Sequence, residues 1–226
     1  MTLDVRIEIM GETLTLLPER AVFWERDGSL LIADPHFGKA ASFRAAGVPV
    51  PHGTTLDGVR RLDVLLARTR PGRVIFLGDF LHARSGRSPA IFQHLAEWRA
   101  LHPHVEMVLV RGNHDRNAGD PPPELKLACV DAPLLAPPFA FTHRPGPTSD
   151  GYVLSGHIHP GADLVGPARQ HVRLPCFWFR EKDAVLPAFG DFTGLASIAA
   201  DAAHRVFVVT GDAVLEVSSE TALRDE

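Results

Sequence analysis

The run Val74-Ile75-Phe76-Leu77-Gly78-Asp79 sets the reading of the whole chain. Four consecutive apolar residues suit a strand buried on both faces, as in the middle of a parallel sheet, and the Gly-Asp that follows ends it with a carboxylate at its carboxyl end. The pattern recurs upstream, where Ser29-Leu30-Leu31-Ile32-Ala33 delivers Asp34-Pro35-His36, and downstream, where Val105 to Val110 delivers Gly112-Asn113-His114-Asp115. Phe139-Ala140-Phe141-Thr142 then runs into His143, and Tyr152-Val153-Leu154 into Gly156-His157-Ile158-His159. Each fragment alone is weak, since a Gly-Asp pair or an Asp-x-His triplet is common in turns. Their order and their shared position are what carry weight. In sheets flanked by helices, ligands bind beyond the carboxyl ends of strands, so the five fragments are expected to converge on one rim.

Around them the elements fall into place. Arg6 to Ile9, Thr13 to Leu16 and Ala21 to Trp24 read as short strands, with Asp27-Gly28 turning into the strand that reaches Asp34. A helix is expected with Thr54 or Thr55 as its N-cap, Leu56, Val59, Leu62, Leu65 and Leu66 on one face, and Pro71-Gly72 as its stop. Ser88-Pro89 opens a second helix in the favoured cap-then-proline order, with Ile91, Leu95 and Trp98 on one side. Asp120-Pro121-Pro122-Pro123 is a loop. The remainder is strand-rich: Arg173-Leu174, Cys176 to Phe179, and a hairpin of Arg205 to Val209 with Ala213 to Val217 about Gly211-Asp212. Phe177-Trp178-Phe179 reads as an inner-sheet strand. Alternating β and α early, and mostly β later, give an α/β protein with two packed sheets and helices outside. No repeat or low-complexity tract divides residues 1–226, so one domain is expected, with a disordered tail at Thr221 to Glu226.

Composition narrows the function classes. No apolar run approaches the roughly 18 residues needed to span a bilayer, and Asp4, Arg6 and Glu8 stand at the start of the chain, so a cytoplasmic protein with no signal peptide and no membrane partner is expected. Cys129 and Cys176 are too few for a disulfide framework or a Cys-rich zinc site, and read as buried and inert. The net charge of −4 argues against nucleic acid, yet bound cations would add positive charge locally. Two stretches, His36 to Gly53 and Leu81 to Leu95, contain no acidic residue and carry Lys39, Arg44, Arg84 and Arg87. They are candidates for a track along a phosphate backbone.

The donors in the five fragments are carboxylates, one amide oxygen and imidazoles, a hard and borderline mixture suited to Mn²⁺, Fe or Zn²⁺. Two such ions about 3.5–4 Å apart can clamp a phosphoryl group while a hydroxide attacks in line. One carboxylate must bridge them, and Asp79, at the tip of a buried strand, is the expected bridge. Asp34, His36 and His159 would complete one ion, and Asn113, His143 and His157 the other. His157 and His159 are two apart, so an extended segment would point both to one face. His114 is left without a metal and is the expected acid, with Asp115 orienting it. His82, three residues after Asp79, is expected to face the site and contact the phosphate or its leaving group.

This series of motifs resembles the calcineurin-like metallophosphoesterase superfamily. The resemblance implies a four-layer αββα sandwich, a bridging hydroxide and the ligand roles just given. Leu31 to Arg44, Gly78 to Arg84 and Leu174-Pro175-Cys176-Phe177-Trp178 are similar to the bacterial ligase-associated branch, over nearly the whole chain from about Ala21 to Val217. Pro35 departs from it, standing where a hydrophobic residue such as Leu is commoner. Membership of that branch implies a manganese-dependent phosphodiesterase and DNA endonuclease working in bacterial DNA repair beside an ATP-dependent DNA ligase, a helicase and an exonuclease. The rivals are a small-molecule phosphoesterase, such as a UDP-diacylglucosamine pyrophosphatase or a cyclic-nucleotide phosphodiesterase, and a non-catalytic scaffold on the same fold. An intact set of ligands disfavours the scaffold.

Overall fold

The structure is a computed structural model that describes residues 2–50, 54–166 and 170–218. The first of its two sheets has seven strands in chain order: β1 (Val5–Ile9), β2 (Glu12–Leu17), β3 (Ala21–Trp24), β4 (Ser29–Ile32), β5 (Arg73–Phe76), β6 (Glu106–Val110) and β7 (Ala128–Val130). β1 to β4 pair antiparallel, whereas β4, β5, β6 and β7 run parallel. Helices α1 (Lys39–Ala45) and α2 (Thr54–Thr69) connect β4 to β5, and α3 (Pro89–Leu101) connects β5 to β6. The short α4 (Asn113–Ala118) follows β6 directly. Parallel neighbours need such crossovers, and these put the ends of β4, β5 and β6 side by side.

The second sheet comprises β8 (Leu134–Ala136), β9 (Phe139–Phe141), β10 (Tyr152–Ser155), β11 (Pro160–Val165), β12 (His171–Phe179), β13 (Asp183–Val185), β14 (Ala196–Ser197), β15 (Arg205–Val209) and β16 (Val214–Val217). β9 and β10 are parallel, so His143 and His157 emerge at the same end. The expected late strands are present, with Arg173 and Cys176 to Phe179 on the single strand β12.

Alternation along β4 and β5 explains the apolar runs. Leu31, Ala33, Ile75 and Leu77 face the second sheet and pack with Phe139, Phe141, Leu154, Phe177 and Phe207, while Leu30, Ile32, Val74 and Phe76 face Leu62, Leu65, Leu95 and Trp98 of α2 and α3. Both faces of these strands are dry, and each such side chain contributes about 1.5–3 kcal/mol of burial. On the far face of the second sheet, Cys176, Trp178, Val206 and Val208 pack with Ile198 and Ala200, in a cluster to which none of the four helices contributes. The α/β sandwich of two facing sheets is therefore covered by helices on one side and by extended and irregular chain on the other.

The predicted helices are observed. Ser88 Oγ accepts a hydrogen bond from Ile91 N at 3.3 Å, capping α3. Thr54 and Thr55, expected to cap α2, are its first residues, and residues 51–53 before it lie outside the described chain, as do His52 and the expected tail. Helix α1 has no counterpart in the sequence reading. No helix among the described residues is long and apolar enough to cross a membrane. Cys176 is buried and Cys129 half-buried, and burial pushes their thiols up to about 12 and about 11, out of the reactive range.

Candidate metal centre

The five fragments meet at the rim where β4, β5, β6, β9 and β10 end. Asp34, His36 and His159 bring ligand atoms within 4.8 Å of one another, and so do Asp79, His143 and His157. His36, His82 and His114 form a third such group, and Asn113 Oδ1 lies 3.0 Å from His143 Nε2 of the second. The first two sets touch at Asp79, whose Oδ1 lies 3.3 Å from His143 Nε2 while its Oδ2 lies 3.9 Å from His36 Nε2.

Bringing seven donors together takes unusual backbone. Asp34, His36, Asp79, His157 and His159 all have φ between 48° and 73°, half of the ten non-glycine residues with positive φ among the described residues. Such left-handed conformations are rarely adopted without a surrounding structure that enforces them. Glycine permits the close approach of the fragments. A Cβ on Gly78, itself at φ 83°, would come within 2.2 Å of His143 Nδ1, and one on Gly112 within 2.2 Å of Asp79 Oδ1.

The chemistry of the donors fits cations. His143 Nδ1 lies 3.0 Å from the Leu77 carbonyl, which accepts its N–H and leaves Nε2 as a bare lone pair. That lone pair faces two acceptors, Asp79 Oδ1 and Asn113 Oδ1, and lies 3.0 Å from His157 Nδ1. Asp34 is fully buried, and its Oδ2 accepts from His157 N at 2.8 Å while Oδ1 has no hydrogen-bond partner among the described residues. A buried carboxylate oxygen and converging lone pairs are stable only with positive charge among them. Burial raises the Asp34 and Asp79 carboxyls above the ordinary range, and burial lowers His36, His143 and His159, the last to about 4. The imidazoles are thereby held neutral, as ligands must be.

His114 has one side committed and one open. Its Nδ1 donates to the His82 carbonyl at 2.6 Å, and its Nε2 faces the site 3.9 Å from Asp79 Oδ2. The His82 ring stacks on it, centroids 5.0 Å apart, and His82 Nδ1 lies 3.5 Å from His36 Nδ1. Burial lowers His82 to about 4. Asp115 differs from expectation. Its Oδ1 accepts from Leu81 N at 3.0 Å and its Oδ2 from Gly112 N at 2.9 Å, so both oxygens serve backbone amides, and the carbonyl of His82 rather than Asp115 orients the His114 ring. A carboxylate three residues into a helix commonly reaches back to the N-cap amide in this way.

The two acid-free stretches pack against each other, with Phe37 pairing Leu81 and α1 lying on the turn Arg84–Gly86. Lys39 is half-buried above the Phe43 ring at 5.8 Å, and its charge is felt at Asp34 and Asp79. Arg84 donates from Nε to Asn117 O at 2.9 Å, and Arg44 reaches toward Val50 O at 3.4 Å. Arg87 holds Gly119 O and Asp120 O, each at 2.9 Å, a purely structural task. Sequence reasoning missed Arg144, which follows His143 and stands exposed beside Asn113 in a cleft. Its position directly after a candidate ligand was the available signal.

A site with this donor set at the strand-end rim of a two-sheet sandwich is that of a metal-dependent hydrolase, and its metals are divalent. No protein-family model and no curated protein matches the chain. Among solved structures, it is similar to the nuclease MPE of Pseudomonas putida, with 42% identity over 95% of this chain and 100% of that one, at a TM-score of 0.83. Yfce, a phosphoesterase from E. coli, aligns at 16% identity over 84% of this chain and 98% of that one, with a TM-score of 0.41. The chain belongs to the calcineurin-like metallophosphoesterases. It is a phosphoesterase, a hydrolase.

Proposed function

We propose that the chain is a two-metal phosphodiesterase that cuts DNA and uses Mn²⁺. The observation that carries the reading is the meeting of two Asp/His triads at one carboxylate, Asp79. Asp34, His36 and His159 hold one ion, Asn113, His143 and His157 the other, and Asp79 both. When bound, the two cations supply an activated water and neutralise charge on the phosphoryl oxygens. The Leu77 carbonyl fixes the His143 tautomer so that Nε2 serves as the ligand atom, in the way outer groups commonly set ligand orientation. His114, with Nδ1–H on the His82 carbonyl, carries its second proton on Nε2 and passes it to the departing oxygen. The leaving group departs as an alcohol, and the imidazole remains neutral with Nδ1–H still bonded.

What supports DNA as substrate is the relation to a nuclease and the positive charge of Lys39 beside the carboxylates Asp34 and Asp79. What supports a place in bacterial DNA repair, beside an ATP-dependent ligase, a helicase and an exonuclease, is the resemblance of the residues flanking Asp34 and Asp79. The test is to strip the protein with a chelator, restore Mn²⁺, Mg²⁺ or Zn²⁺ separately, and measure hydrolysis of bis-p-nitrophenyl phosphate and of an oligodeoxynucleotide. Both activities should return, most strongly with Mn²⁺. Diester turnover with no DNA cleaved in any metal overturns the DNA assignment in favour of a small-molecule substrate, and Zn²⁺ outperforming Mn²⁺ overturns the metal.

A further inference from the structure

We propose that Arg144 binds a phosphate flanking the scissile one, in a cleft on the His143 side of the centre; this rests on the DNA reading above. The cleft measures about 560 Å³ and opens beside Asn113 and His143, with Arg111, Arg116 and Arg144 on its walls. That volume falls within the range that takes a small organic ligand. Pro133 and Pro147 add apolar ring surface on which a sugar or base can lie.

The three arginines are not equivalent. Arg111 makes a bidentate pair with Asp120, both contacts at 2.8 Å, and Arg116 pairs with Asp131 at 3.2 Å, so their charges are already answered. The Arg144 guanidinium makes no hydrogen bond or ion pair with any of the described residues, and its charge is felt at Asp79, His143 and His157. Its backbone is nevertheless fixed. Thr142 Oγ1 donates to Arg144 O at 2.7 Å, and two residues on Gly146 N donates to Asp183 Oδ2 at 3.0 Å. A guanidinium on a fixed stem, with its whole donor fork unspent and pointing to no carboxylate, suits a phosphate oxygen pair. With Lys39 beside the opposite triad, a strand crossing the centre meets one positive charge on each side of the cut.

The test compares the parent, R144A and R144K in Mn²⁺ on an oligothymidylate and on bis-p-nitrophenyl phosphate, with thermal melts to confirm folding. R144A is expected to raise KM for the oligonucleotide about 10- to 100-fold, the range for a lost charged hydrogen bond, and to affect the small diester distinctly less. The slope of log affinity against log salt should fall by roughly 0.7, one fewer counterion being released from a single strand, and R144K should restore it. Equal losses on both substrates, or an unchanged salt slope, overturn the proposal while the parent's DNA cleavage keeps the DNA reading standing. A parent that hydrolyses the small diester and no oligonucleotide overturns both.

Discussion

The imidazole of His114 is held by the backbone of His82, Nδ1 lying 2.6 Å from the carbonyl oxygen. The contact commits Nδ1–H to the carbonyl and leaves Nε2 turned to the site. Replacing His114 with Ala is expected to leave both metals bound and to slow turnover by about 10²–10⁴-fold, the usual contribution of an acid-base group. The loss should be larger for alkyl than for p-nitrophenyl leaving groups. Equal losses on the two diesters would show that His114 does not protonate the leaving oxygen.

His82 lies against both His36 and His114. With His36 Nε2 turned to the metals, His36 Nδ1–H is free to donate to His82 Nδ1, 3.5 Å away. His82→Ala removes that acceptor but keeps the carbonyl that holds His114. The expected outcome is metal affinity weakened about 10–100-fold at one of the two ions, with the leaving-group dependence of His114 intact. Metal titration followed calorimetrically checks it; two ions lost together would point to a general collapse of the rim instead.

Much of the centre was legible because its donors stand directly after strands that read as apolar runs, and parallel strands deliver their ends to one rim. The division of ligands into two sets followed from that. What the sequence did not carry was side-chain direction across elements. Asp115 follows His114 in the chain, yet its carboxylate turns back to Leu81 and Gly112. Lys39 and Arg84, read alike as phosphate-track candidates, part in the structure because α1, invisible as a periodic pattern in seven residues, folds Lys39 toward the carboxylates while Arg84 is drawn to the end of α4. Arg144 went unnoticed although Ala132 to Ser149 is also free of acidic residues, because it is the single basic residue in that stretch and charge was sought where bases cluster.

The two amides held by Asp115 give a prediction that separates structure from chemistry. Asp115 is 1% exposed, so Asp115→Ala leaves the N–H groups of Leu81 and Gly112 buried without acceptors. Each costs about 1–3 kcal/mol, so a clear fall in the midpoint of thermal unfolding is expected. Asp115→Asn, which retains one carbonyl oxygen, should recover part of it. Were Asp115 instead the orienting partner of His114, the pH profile of turnover would move before the melting temperature did.

The last prediction concerns the shared carboxylate and the charge it answers. Asp79→Ala removes the carboxylate whose two oxygens face His143 of one triad and His36 of the other, and the loss of turnover should be complete within the limits of a bis-p-nitrophenyl phosphate assay. Chelation of the parent tests the same point from the cation side. Without cations the buried Asp34 and Asp79 hold their protons to higher pH than ordinary carboxyls do, because burial raises both. Cations can bind only as those protons leave, so metal uptake should release protons and weaken as the pH falls through the raised carboxyl range. The imidazoles, pushed below their ordinary value by burial, should compete for protons only below the ordinary histidine range. Adding Mn²⁺ to chelated protein should therefore raise the unfolding temperature, and more so at neutral than at acid pH. The Asp79→Ala variant should show neither the proton release nor the shift. Retention of both by that variant would mean that another group bridges the ions.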